Sequence, residues 1–183
     1  MKKYLIVIMS LMLIFMTGCS MGKIDNTPTK QVEKLLKAYQ MNDEIIMAQM
    51  NATVENDVTL NTDQKLKYKD ILKRQYSDMT YKIKDEVING DDATVTAQIE
   101  VYDYYKTVSD AQSFLAANPA QFANPDGAYD NNMYLDYKFD QMKNTTNKVT
   151  YTIDFKVKKI DDKWQVEDLN DEDREKIHGL YAY

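Results

Sequence analysis

The sequence predicts an α+β domain: N-terminal helices packed on a curved antiparallel sheet, a partly helical insertion between two hairpins, and a short C-terminal helix. Three observations carry this. Residues 27–76 place apolar side chains at helical spacing. Residues 81–101 and 148–166 alternate apolar and polar, the period of a strand with one buried face. Residues 108–147 lie between these blocks and do not alternate.

Thr27 is a good N-cap and Pro28 suits the first helical position. Val32, Leu35, Leu36 and Tyr39 then follow the i, i+3, i+4, i+7 spacing of one helical face. The pattern breaks at Met41-Asn42-Asp43. Asn42 is expected to cap a second, shorter helix with Ile45, Ile46 and Met50 as its apolar side. A third helix is expected near Asn61 or Thr62, with Leu66, Ile71 and Leu72 apolar and Tyr68 and Tyr76 beside them.

The period then changes to two. Tyr81, Ile83, Asp85 and Val87 alternate with Lys82, Lys84 and Glu86. Asn89-Gly90 is a strong hairpin signal, because both residue types tolerate positive φ. Val95, Ala97, Ile99 and Val101 form the buried face of the returning strand. Val149, Tyr151, Ile153, Phe155 and Val157 begin a second hairpin, Asp161-Asp162 make its turn, and Trp164 and Val166 return.

Within the 108–147 insertion, Ser109 is read as the cap of a short helix through Ala117. Asn118–Asp130 carries two prolines and a glycine and reads as a loop. Asp130 to Met142 reads as helix, with Leu135, Phe139 and Met142 on one side. At the C-terminus Asn170 caps a helix whose first turn holds acids, which complements the helix dipole. His178-Gly179 would end it, a place that suits a cationic side chain.

The first eighteen residues have a different character. Lys2 and Lys3 form a basic head, Tyr4 to Met16 an apolar centre, and Thr17-Gly18 a small-residue zone before Cys19, the one cysteine of the chain. This is the layout of a secretory signal peptide. Its apolar part is shorter than the roughly 20 residues of a spanning helix. Met16-Thr17-Gly18-Cys19 resembles the lipobox of bacterial lipoproteins, with Met where Leu is commoner. The resemblance implies cleavage between Gly18 and Cys19, a diacylglyceryl group on the Cys19 sulfur, and export to the outer face of the bacterial cytoplasmic membrane. Two acyl chains anchor stably where one does not. Residues 19–26 would be the lipidated Cys and a short tether, and 27–183 a single domain. Ser20–Asn26 spans roughly 25 Å at most.

Removing Lys2 and Lys3 from the 23 basic side chains leaves 21 against 29 acidic ones, a formal charge of −8. That argues against nucleic acid and against electrostatic adsorption to anionic lipid. With a single Cys, no internal disulfide forms, so the fold rests on its core. Fourteen tyrosines against five phenylalanines suit half-buried sheet positions, ring inside and hydroxyl wet.

Two stretches, TPTKQVEKLLKAYQMNDEIIMAQM and VTYTIDFKVKKIDDKWQVEDL, resemble the nuclear-transport-factor-2-like, or cystatin-like, superfamily, as in small exported lipoproteins of low-GC Gram-positive bacteria. The resemblance implies a cone of helices across a bent sheet. It also brings two departures: Met41-Asn42 replaces the Gly often found before the break, and the link between hairpins is long.

Sites for chemistry are few. His178 is the one histidine, so Ser-His-Asp and Cys-His arrangements are excluded. Asp103 shares the parity of Val101 and is the acid to check for burial. Asn124–Asn132 is rich in oxygen ligands without EF-hand spacing, and zinc lacks its ligands; no metal or cofactor is expected. The run Tyr102-Asp103-Tyr104-Tyr105 reads as a strand edge. Its functional version puts Tyr102 and Tyr104, with Tyr151 and Trp164, in a pocket wall. The favoured expectation is a non-catalytic ligand- or protein-binding module. A cavity enzyme using Asp103 and tyrosines, and a structural or protective envelope protein, are the alternatives.

Overall fold

The computed structural model describes residues 26–183. The expected signal segment 1–18, the expected cleavage site Gly18-Cys19 and the expected tether up to residue 25 lie outside the described residues. The described chain is α+β. Helices α1 (Pro28–Gln40), α2 (Glu44–Glu55) and α3 (Thr62–Ser77) precede strands β1 (Thr80–Asn89) and β2 (Asp92–Tyr102). Helices α4 (Tyr104–Ala117) and α5 (Asn131–Asn144) follow, joined through a 3₁₀ turn at Pro119–Phe122. Strands β3 (Lys148–Ile160) and β4 (Lys163–Val166) and helix α6 (Asp171–His178) complete the chain. The sheet is antiparallel in the order β1-β2-β3-β4, curved and not closed into a barrel.

Alternation decides which sheet face is covered. Val95, Ala97, Ile99 and Val101 of β2 and Tyr151, Ile153, Phe155 and Val157 of β3 all point to the helices and are buried. Val32 and Leu36 of α1, Ile46, Met50 and Val54 of α2, Leu72 and Tyr76 of α3 and Ile177 of α6 complete that core. Burying one such aliphatic side chain contributes roughly 1.5–3 kcal/mol. A second cluster ties the insertion on: Leu135, Phe139 and Met142 of α5 pack with Tyr104 and with Ile71 of α3.

Several local expectations change. Asp43, not Asn42, caps α2, accepting from Ile45 N–H at 3.0 Å. Asn42 takes a left-handed φ of +50° and donates to Ser77 Oγ at 2.6 Å. Ile45 and Leu66 are exposed, not core-facing; in α3 the inward positions go to Gln64, Ile71, Leu72, Gln75 and Tyr76. Among these is Gln64, which completes a capping box with Asn61. The first turn is Gly90-Asp91, one residue later than expected, with Gly90 at φ +64°. The second turn is Asp161-Asp162 as read, both at positive φ.

β1 holds the largest departure. Ile83 pairs with Ala97 but Asp85 pairs with Thr96, so Lys84 is an extra, bulged residue. Parity flips there. Val87 therefore shares the outer face with its partner Thr94 and is exposed. Glu86 turns toward the helices and accepts from Thr29 N–H at the start of α1 at 2.8 Å, where negative charge suits the helix dipole.

The aromatic run is not a strand edge. β2 stops at Tyr102, and Asp103 caps α4, which begins five residues before the expected Ser109 cap. The excursion from the sheet therefore starts at Asp103. Asn26, read as tether, belongs to the folded domain. Its Oδ1 accepts from Trp164 N–H at 3.1 Å and from Gln31 Nε2 at 3.3 Å, and its Nδ2 donates to Asp162 O at 3.3 Å.

Candidate functional site

The chain leaves the sheet at Tyr102, and the surrounding side chains hold that exit. Gln75 is fully buried, donates to Tyr102 O at 3.1 Å and accepts from Tyr102 N–H at 2.9 Å. Gly179 sits against the same pair at φ +70°, where a Cβ would collide with Tyr102 O and Gln75 Nε2. Arg74 lies 3.8 Å from the Tyr102 ring centre and donates to Lys143 O at 2.7 Å and Thr145 O at 2.9 Å, closing the C-terminus of α5.

Tyr102 and Tyr104 stack with ring centres 6.0 Å apart. Tyr102 donates to Asp78 Oδ2 at 2.7 Å, and the Tyr104 hydroxyl, fully buried, donates to Ile71 O at 3.3 Å. Burial raises the Tyr104 pKa far above the usual phenol value. Tyr151 is also buried; desolvation first, then the charge of Asp103, raise its pKa to about 12. Its hydroxyl donates to Tyr181 O at 2.9 Å. Trp164 packs against the core on β4, opposite Lys159. Eight residues of β3 separate Lys159 from Tyr151, roughly 26 Å along the strand. The structure thus joins Tyr102 with Tyr104 and sets Tyr151 and Trp164 far apart.

Asp103 is buried, and both carboxylate oxygens are engaged. Oδ1 accepts from Lys106 N–H at 2.9 Å as the cap of α4, and Oδ2 accepts from the Tyr183 hydroxyl at 2.7 Å. His178 does not behave as a cationic helix end. Burial, reinforced by the charge of Arg174, lowers its pKa to about 4. Its Nε2 shares a hydrogen bond of 3.0 Å with the Tyr76 hydroxyl. In the oxygen-rich loop, Asn124 Oδ1 accepts from Asp126 and Ala128 N–H, and Asp130 Oδ1 caps α5 through Asn132 N–H. Those oxygens hold the loop's own backbone.

An open cleft of about 360 Å³ lies between α4 and α5, within the size range of small-ligand sites. Thr107, Asp110, Ala111 and Phe114 reach it from one face of α4, and Tyr137, Gln141 and Asn144 from one face of α5. The Phe114 and Tyr137 rings stack at 5.0 Å, and the buried Phe122 of the 3₁₀ turn meets both edge-on at 6.1 and 5.4 Å. This cluster holds the two helices at a fixed spacing. Above it Gln141 and Asn144 offer amides that both donate and accept. Asp110 is paired with Lys106 at 2.8 Å. Sequence reading pointed to the insertion but not to these residues. Their i, i+3, i+4, i+7 signal in α4 is hidden when the helix is started at Ser109.

No known protein family, curated protein or solved structure matches the chain.

Proposed function

We propose that the protein is a lipoprotein held at the outer face of the bacterial cytoplasmic membrane by lipid on Cys19, and that its α+β domain is a non-catalytic binding module. The observation that carries the binding role is the α4–α5 cleft, an open recess with a fixed aromatic floor and amide rims. The ligand it suits is a neutral hydrogen-bonding one, such as a segment of a protein partner. The non-catalytic reading is supported by Asp103, whose two oxygens are committed to a helix cap and to Tyr183. No described helix is long and apolar enough to cross a membrane; in this reading the anchor is acyl.

Two experiments test the proposal. A photo-crosslinking amino acid at Gln141 in cells should trap a discrete adduct, while one at Thr152, on the exposed sheet face, should not. Equal yields at both positions, or none at Gln141, defeat the binding role. For the anchor, Cys19→Ala should move the protein out of the membrane fraction. A variant that sediments with membranes like wild type defeats it.

A further inference from the structure

We propose that the hairpin-turn end of the sheet is a membrane-contacting face, with Val87, Ile88 and Ile160 seated in the headgroup region and the α4–α5 cleft held at the opposite end. This rests on the lipid-anchor reading of Cys19.

The first support is where the chain enters the domain. Asn26 is clasped to the β3–β4 turn through Asp162 O and Trp164 N–H, and Thr29 N–H is held by Glu86 near the β1–β2 turn. Both turns lie at one end of the sheet, because Asp92 pairs with Lys158. The link from Cys19 to Asn26 reaches roughly 25 Å at most. Tyr102, where the insertion departs, is ten residues of β2 from Asp92, roughly 34 Å. The link is too short to bring the lipid to the insertion end, so the anchor holds the turn end against the bilayer.

The second support is independent of the link. Val87, Ile88 and Ile160 are 59%, 52% and 47% exposed. All three lie at the tips of the two hairpins, beside the anchor point. Val87 and Ile88 point to opposite faces of β1, so no single face of the domain covers both. Lys158 and Lys159 stand next to them, within 4.0 Å of Asp92 and 3.4 Å of Asp162 respectively. Lysines around an apolar tip can lay their stems along it and keep their charge at the headgroups. Four acids, Asp91, Asp92, Asp161 and Asp162, share this end, so charge does not drive adsorption. The lipid supplies affinity and the apolar tips supply orientation.

The test uses full-length protein purified from membranes and reconstituted in equimolar phosphatidylcholine and phosphatidylglycerol vesicles. An NBD fluorophore is attached through Ile88→Cys, Ile160→Cys or, at the insertion end beside Tyr102, Asn144→Cys. Lipid-borne doxyl groups should quench positions 88 and 160 severalfold more than 144. The triple variant V87S/I88S/I160S should stay in the membrane fraction, and a label at Asp162→Cys should be quenched less in it than in the wild-type background. Equal quenching at both ends, or stronger quenching at 144, overturns the orientation and leaves the anchor standing. Labelling of the wild-type thiol, with loss from the vesicles, overturns the anchor itself and this proposal with it.

Discussion

The buried amide of Gln75 forms a two-bond ring with the backbone of Tyr102, donating to its carbonyl at 3.1 Å and accepting from its N–H at 2.9 Å. A helix side chain here supplies hydrogen bonds at the place where the strand ends and the insertion begins.

Replacing Gln75 with Leu keeps the volume and removes both bonds, leaving a donor and an acceptor buried. Unfolding free energy from urea denaturation should fall by about 3 kcal/mol. Gln75→Glu retains the acceptor but sets a carboxylate against Tyr102 O, and it should be no better tolerated. A loss within error in both variants would show that water replaces the amide.

Asp103 separates a structural from a catalytic role. Asn is as good an N-cap as Asp, so Asp103→Asn should cost little, whereas Asp103→Ala should cost about 1–2 kcal/mol. Tyr183→Phe should lower stability in the wild-type background and not beside Asp103→Ala, the mark of a direct pair. Additive losses in that cycle would mean that the 2.7 Å contact contributes nothing to stability.

His178 gives the domain an acid-side weakness. Its folded pKa is lowered to about 4 by burial and Arg174, against about 6.5 for an unfolded histidine. Protons therefore bind the unfolded chain first. The contribution of neutral His178 is fully present above pH 6.5 and is lost as pH falls toward 4. Between pH 7 and pH 5 wild type should lose about 2 kcal/mol relative to His178→Gln. Parallel pH profiles for the two proteins would refute this. The ring is half-buried, and its partner Tyr76 is itself held neutral by burial.

The sequence made the sheet legible where packing alone sets the pattern. β2 and β3 are the central strands, and every second residue from Val95 to Val101 and from Tyr151 to Val157 enters the core. It was least legible where one residue changes the phase. The extra Lys84 looks like part of an unbroken alternation, because Val87 fits the parity of Ile83. Only the pairing with β2 shows that Glu86 has taken the inward side to meet Thr29. Asp103 misled in the same way: its parity with Val101 suggested a strand, while its oxygen caps a helix. The cleft residues follow from that helix start, so they were hidden with it. His178 sits at a helix end that suits a cation, and only tertiary burial makes it neutral.

The Lys84 bulge has a further consequence, for how two copies of this protein meet. Among the described residues β1 is an edge strand of the sheet, ten residues long. Long, regular edges invite pairing with another chain, and bulges and charges discourage it. Here the register breaks between Ile83 and Asp85, and four of its central five residues, Lys82, Lys84, Asp85 and Glu86, are charged. The same extra residue that frees Glu86 to hold α1 also works against edge-to-edge pairing between copies.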